Sequence, residues 1–212
     1  MDAEELLGRY AAGERNFAEV NLGKSDLSNA DLRDINLTSA NLNFVDLRNA
    51  DLRGANLSYA QLGGDLRGAN FSNANLEEAK FNTDDLESAN FSGASLRRAN
   101  MGGAWLAGIN MRGANLTGTD LNQANLEDAI LIGADLSEAC LFQAGLYGAD
   151  LTDAKLVNAD IEATGFEDAN LTNADLTGAK GSNYINEAIL HNTVMPDGSI
   201  GSNNPSGSEQ KK

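Results

Sequence analysis

From Phe17 onward a large apolar residue returns at every fifth position, and this spacing constrains the fold more than any other feature of the chain. It recurs from Leu22 through Leu27 and Leu32 to Leu62, slips by one residue to Leu66, and then continues every fifth residue to Leu176. Of these 33 positions 25 are Leu, and the residue two before each is Ala in 23 cases, as at Ala30, Ala50, Ala94, Ala134 and Ala174. The residue between them is usually Asp or Asn. Large apolar, polar, small is the alternation of a strand with one buried face. A helix cannot use it, because five residues rotate the chain by about 500° and the leucines would spiral around the axis.

The Ser, Thr, Asn and Gly that fill the other positions suit tight turns, so each pentapeptide reads as a very short strand plus a corner. Such a strand buries too little alone. Stability must come from stacking one winding on the next at about 4.8 Å, with backbone hydrogen bonds running along the axis. The chain is therefore expected to be all-β, a narrow solenoid with leucines laddered over alanines.

Tandem units such as Ala50-Asp51-Leu52-Arg53-Gly54 and Ala169-Asn170-Leu171-Thr172-Asn173 resemble pentapeptide-repeat proteins over residues 15–181. That resemblance implies a right-handed quadrilateral β-solenoid with four pentapeptides per coil, hence about eight coils and a length of about 40 Å. Tyr10-Ala11-Ala12-Gly13 with Asn16-Phe17, and Met195-Pro196-Asp197-Gly198-Ser199-Ile200, are similar to the ends of cyanobacterial members, including one linked to heterocyst differentiation. The slip at Gln61-Leu62-Gly63-Gly64-Asp65-Leu66 removes one residue, and its glycines are expected to absorb the change as a local distortion.

Solenoid ends expose core and strand edges and need caps. Residues 1–14 read as an N-terminal capping helix, with Asp2 and Glu5 spaced as a capping box and Leu6, Leu7 and Tyr10 over the first coil. The repeat fails beyond Gly181, and residues 182–200 read as a C-terminal cap in which Tyr184, Ile185, Ile189, Leu190, Val194 and Met195 fold over the last coil. Residues 201–212 read as a flexible tail.

Composition narrows the function classes. One cysteine, Cys140, and one histidine, His191, provide neither a disulfide framework nor a soft-ligand set for zinc. A formal charge of −16 opposes direct nucleic-acid binding and favours a basic protein partner. No apolar run approaches a membrane span, and the opening segment is acidic where a signal peptide is basic, so a cytoplasmic location and no membrane contact are expected. There is no P-loop, no dinucleotide-binding glycine motif and no paired general acid and base, so the expectation is a protein with no catalytic activity and no cofactor.

With four units per coil, residues 20 apart (19 across the slip) stack in columns. One outward column is Asp26, Asp46, Asp65 and Asp85, followed by Trp105; another is Asn16, Asn36, Asn56, Asn75, Ser95 and Asn115. Stacked aspartates about 5 Å apart repel by about 0.8 kcal/mol per pair in water, partly offset by Arg48 and Arg67. The plain reading is that Asp and Asn bond the solenoid's own turns. The functional reading is an anionic ladder that imitates DNA, as the resemblance implies for members that inhibit topoisomerases. Against it, the charge averages about one per 2.5 Å, sparser than the ~1.7 Å of duplex DNA. Metal binding by the aspartates would need six to eight oxygens converging on one ion, and a flat ladder converges poorly. Asp84 falls at a small inward position, where a carboxylate must be hydrogen-bonded or neutralised.

Candidate partner contacts are these aspartates, Trp105 on the outer wall, and apolar departures clustered in one coil at Ile130, Ile132, Cys140 and Phe142 with Tyr147 just beyond, which lie on more than one face and need not form one patch. The leading expectation is a monomeric interaction scaffold that binds an unidentified protein in a cyanobacterial regulatory pathway. The alternative is a DNA-mimicking topoisomerase-binding protein, which the polar C-terminus disfavours because that mode uses end-to-end dimers.

Overall fold

The computed structural model describes residues 1–81, 86–181 and 184–203. Asp84 and Asp85 lie outside the described residues.

Parallel backbone pairing links each winding to the next at a spacing of 20 residues, through Asn16, Asn36 and Asn56 on one side and Asp31 and Asp51 on another. Four pentapeptides thus complete one coil, and the molecule has four walls. We number them by a residue in the second coil: the first wall carries Leu37, the second Leu42, the third Leu47 and the fourth Leu52. Along the axis the Leu52 N–H donates to Asn70 O at 2.8 Å and the Asn56 N–H to Ile35 O at 2.9 Å. Within a unit the Ala55 N–H donates back to Leu52 O at 3.0 Å, which closes the corner as a four-residue turn. The third residue of that turn is left-handed, with φ of 68° at Gly54 and 57° at Asp34, and Gly, Asn and Asp adopt this conformation at low cost.

The leucines and alanines of the repeat point to the axis and form one continuous core from Phe17 to Leu176. Stacked coils bring like residues face to face: the rings of Phe71 and Phe91 lie 4.9 Å apart and 12° from parallel. Where a polar residue replaces the small inward one it is satisfied locally. Thr119 and Thr164 are buried, and each hydroxyl donates to a carbonyl of the coil before, Leu96 O and Leu141 O, at 2.7 Å.

The regular strands concentrate at the slip. β1 (Asn41–Asp46) pairs in parallel with β2 (Gln61–Asp65), which pairs with β3 (Lys80–Phe81). The register runs Asn43 to Gly63 and then Asp46 to Asp65, so the missing residue of one coil becomes a bulge in its neighbour. Gly64 sits so close to the backbone there that any side chain would overlap the Val45 carbonyl oxygen.

At the N-terminus α1 (Ala3–Ala11) buries Leu6 completely and packs Ala3, Leu7 and Tyr10 on the core. The Glu5 N–H donates to Asp2 Oδ1 at 2.9 Å, but only this half of the capping box forms. Glu5 turns instead to Arg9, 3.4 Å away.

At the C-terminus the coil register shortens to 19 residues and carries on: Asn170 pairs with Ile189, and Asp175 with Val194. Ile185 and Leu190 continue the inward ladder, whereas Tyr184 and Ile189, read above as part of the lid, face outward and are exposed. β4 (Thr193–Val194) and β5 (Ile200–Gly201) form an antiparallel hairpin across this last coil. Residues 201–203, whose composition suggests a tail, are bonded in: Asn203 Oδ1 accepts from the Leu190 N–H at 2.8 Å and its Nδ2 donates to Ala188 O at 3.0 Å. An amide side chain here takes over edge groups that another coil would otherwise bond. Among the described residues no helix is long and apolar enough to cross a membrane.

Candidate functional site

The outward Asp and Asn column first has a structural task. Almost every unit repeats one bond, in which the side-chain oxygen accepts the backbone N–H two residues on: Ser28 to Asp26 at 2.9 Å, Arg48 to Asp46 at 3.1 Å, Arg67 to Asp65 at 3.2 Å, Thr117 to Asn115 at 3.1 Å. The columns also bond side chain to side chain, as from Asn36 Nδ2 to Asn16 Oδ1 at 2.9 Å.

On the third wall the aspartates are neutralised as well. Arg48 Nε lies 2.9 Å from Asp46 Oδ1 and 3.4 Å from Asp65 Oδ2, so one guanidinium ties its own coil to the next. Arg67 bonds Asp65 in the same way. The Arg48 and Arg67 hydrogen bonds hold the carboxyls of Asp46 and Asp65 below the usual range, and Asp26 is lowered chiefly by the Ser28 N–H. The fourth wall repeats the device with Asp31, Arg33, Asp51 and Arg53; Arg33 holds the Asp31 carboxyl down to about 2. An Asp–Arg lattice of this kind is no bare anionic ladder.

Farther along the third wall its character changes. In the column that carries Asp26, Asp46 and Asp65, the next described residues are Trp105, Asn125, Gly145 and Gly165. Trp105 is 56% exposed. Tyr147 lies across the two glycines: a methyl group at Gly165 would fall 2.5 Å from its Cζ, and one at Gly145 would fall 3.0 Å from its Cε2. The phenol ring thus fills the places of two missing side chains, and it remains 49% exposed.

The other apolar departures do not join this feature. Ile130 pairs with Asn110 and Asp150 on the fourth wall, and Ile132 is half-buried beside it. Cys140 pairs with Asp120 and Asp160 on the second wall, the opposite side, with Phe142 half-buried next to it. Ten residues of sequence separation are two walls of the solenoid, so this cluster is no patch.

Two further exposed aromatic residues lie outside the outward columns. Phe44 is 72% exposed and Tyr59 is 53% exposed, with φ of 65° and 61°. Tyr59 stands at a corner and Phe44 in the bulge of β1, both at the unit position where the repeat prefers Gly, Asn or Asp, and bulky residues adopt left-handed backbone at a cost. The signal was available in the third residue of each turn, a position that the outward columns do not include.

Charge is as uneven as the aromatics. Residues 15–112 contain 12 acids and 10 bases, a net −2, whereas residues 113–181 contain 12 acids and 2 bases, a net −10. In the second stretch the third wall bears Glu127, Asp128, Glu167 and Asp168 and no Lys or Arg.

Comparison with known proteins accounts for the architecture. Pentapeptide repeats match at residues 16–54, 30–64, 109–144 and 145–180, and a second pentapeptide-repeat profile matches 66–110. The chain is similar to HetL, a pentapeptide repeat protein involved in heterocyst differentiation regulation from the cyanobacterium Nostoc sp. strain PCC 7120. Identity is 34%, over 95% of this chain and 100% of that one, with a TM-score of 0.58. More distant are a pentapeptide repeat protein from the cyanobacterium Cyanothece 51142 (23% identity, 76% and 98% covered, TM-score 0.33) and QnrB1, a plasmid-mediated fluoroquinolone resistance protein (22% identity, 85% and 83% covered, TM-score 0.35). No curated protein sequence matches. With a 20-residue coil, an unbroken leucine core and these matches along its length, the chain belongs to the pentapeptide repeat family, a right-handed quadrilateral β-solenoid with a short N-terminal capping helix.

Proposed function

We propose that this chain is a non-enzymatic, monomeric scaffold of the cytoplasm that binds another protein in a regulatory pathway of a cyanobacterium. The observation that carries it is the exposed Trp105 indole, at an outward position that other units give to self-bonding Asp and Asn, together with the exposed Tyr147 ring laid over Gly145 and Gly165 in the same column. Such residues add nothing to the repeat's own bonding, and large aromatics on a rigid surface are the usual anchors of protein contacts. The likeness to HetL supports the regulatory setting. Closed ends support the monomer, since α1 covers the first coil and the β4–β5 hairpin the last. Affinity capture from the native host with mass spectrometry tests the reading: a discrete protein retained by the chain and lost with Trp105→Ala and Tyr147→Ala is expected, and capture of nothing above background would refute it.

A second reading, a DNA-mimicking topoisomerase-binding protein, is favoured by the charge distribution. The net −10 of residues 113–181 falls on about 3.5 coils, or about 17 Å of axis. That is about one charge per 1.7 Å, the spacing of duplex DNA, which the whole-chain average conceals. These charges are spread over all four walls, which weakens the likeness to a groove. Added to a gyrase supercoiling assay at micromolar concentration, the chain would inhibit in a salt-dependent manner if this reading held; no inhibition removes it.

A further inference from the structure

We infer that the C-terminal half of the third wall, from Trp105 to Asp168, is a docking strip for an arginine-bearing segment of a partner protein. This rests on the scaffold reading and adds to it the place and the chemistry of recognition.

The strip combines two features that point to the same ligand group. Along its middle run the Trp105 indole, Asn125 and the Tyr147 phenol, the last laid over Gly145 and Gly165 with its outer surface open. On one side of Tyr147 a groove of about 400 Å³ is lined by Glu127, Asp128, Glu167 and Asp168 with Gly148. On the other a groove of about 270 Å³ is lined by Gln123, Asn125, Gln143 and Ala163, with Glu127 bordering both grooves. Gln123 Nε2 donates to Gln143 Oε1 at 2.9 Å, so that flank is bonded within itself. The four carboxylates opposite have no ion pair or side-chain hydrogen bond among the described residues.

An aromatic face beside uncompensated carboxylates attracts a cation, because the ring quadrupole and the negative charges favour the same sign. A guanidinium satisfies both at once, since its plane stacks on a ring while its edge forms two parallel bonds to a carboxylate. An ammonium can use only one of these geometries well. An anionic or purely apolar segment would leave the carboxylates desolvated and unpaired, which is costly.

Trp105 is the chain's sole tryptophan, so its emission reports on the strip alone. An eight-residue peptide alternating arginine and glycine, titrated at low salt, is expected to shift that emission saturably. Glu127→Gln with Glu167→Gln should weaken binding about fivefold. Gly165→Asn restores the residue type present at Asn125 in the same column and displaces the Tyr147 ring; it should weaken binding about threefold with the denaturation midpoint unchanged. A lysine peptide of the same design should bind about threefold less tightly, and Asp26→Asn, in the other half of the wall, should change nothing.

Absence of an emission shift, equal binding by the Glu127→Gln, Glu167→Gln variant, or equal binding of a glutamate peptide would overturn the inference. So would a dimer in sedimentation velocity that the same variant dissolves, because the strip would then belong to a second copy. The scaffold reading fails separately: it falls if the unmodified chain captures no host protein, whereas capture unaffected by Glu127→Gln and Glu167→Gln would remove only the strip.

Discussion

The third wall is one surface with two halves. Both are built on the same corner geometry, the same leucine ladder and the same axial hydrogen bonds. Near the N-terminus Asp46 and Asp65 each meet an arginine, and Arg48 joins the two across coils. Near the C-terminus this wall carries no arginine, two of the outward positions are glycine, and its carboxylates have no ion pair among the described residues. The difference teaches that the repeat's backbone does not need its outward side chains to be any one type. It holds the coil by main-chain bonding, so side-chain charge can either be spent internally or left for a partner.

If the backbone is equivalent in the two halves, equal lesions should cost the same. Leu47 and Leu126 lie beneath the two halves, 1% and 0% exposed. Leu47→Ala and Leu126→Ala should each destabilise by about 3 kcal/mol in chemical denaturation. A difference of more than about 1.5 kcal/mol would mean that the Asp–Arg lattice, and not the core, holds the N-terminal half.

Copying one half onto the other sharpens the contrast. Asn125→Asp with Glu127→Arg writes the Asp46–Arg48 pattern into the acidic strip. Arginine-peptide binding should fall about tenfold or more by like-charge repulsion, while stability changes by less than about 1 kcal/mol. Retained binding would show that the carboxylates are incidental to the aromatic residues.

The aromatic residues of the two halves also differ in what the backbone pays to hold them. Phe44 and Tyr59 have left-handed backbone, whereas Trp105 and Tyr147 do not. Phe44→Asn should therefore stabilise by about 1 kcal/mol, and Trp105→Asn should leave stability within about 0.5 kcal/mol. A loss on Phe44→Asn would reveal packing of that ring that its exposure does not suggest.

These contrasts mark how far the residues could be read unaided. The core was fully legible, because a period of five with large apolar and small residues two apart admits one buried face, and Leu116, Leu136 and Leu156 are buried accordingly. The strip was legible only in parts. Trp105 stood out as a departure at an outward position. The seat of Tyr147 depends on two glycines 20 residues apart, which become neighbours only through the coil. Ile130 and Phe142, near in sequence, fall on opposite walls, which the four-unit coil already implies. Phe44 and Tyr59 give no signal in the outward columns, because they occupy the second residue after the large apolar one, where only the left-handed backbone makes the occupant informative.

The smallest expected effect concerns acid. A carboxyl held below its unfolded value contributes stability above that value and loses it as pH falls through the folded one. For Asp31 the window runs from about 3.9 down to about 2, because the Arg33 hydrogen bond favours the charged form. Asp46 and Asp65 shift in the same direction for the same reason, with Arg48 and Arg67 as partners. All are solvent-accessible, so the gain is modest and shrinks in salt. A carbon-detected NMR titration should find the Asp31 midpoint near 2, and Arg33→Gln should raise it toward the ordinary aspartate range. A midpoint already near 4 with Arg33 present would mean that the Asp–Arg pairing of the fourth wall does not persist in solution, and the like pairs of the third wall, Asp46–Arg48 and Asp65–Arg67, would then no longer set its N-terminal half apart from the acidic strip.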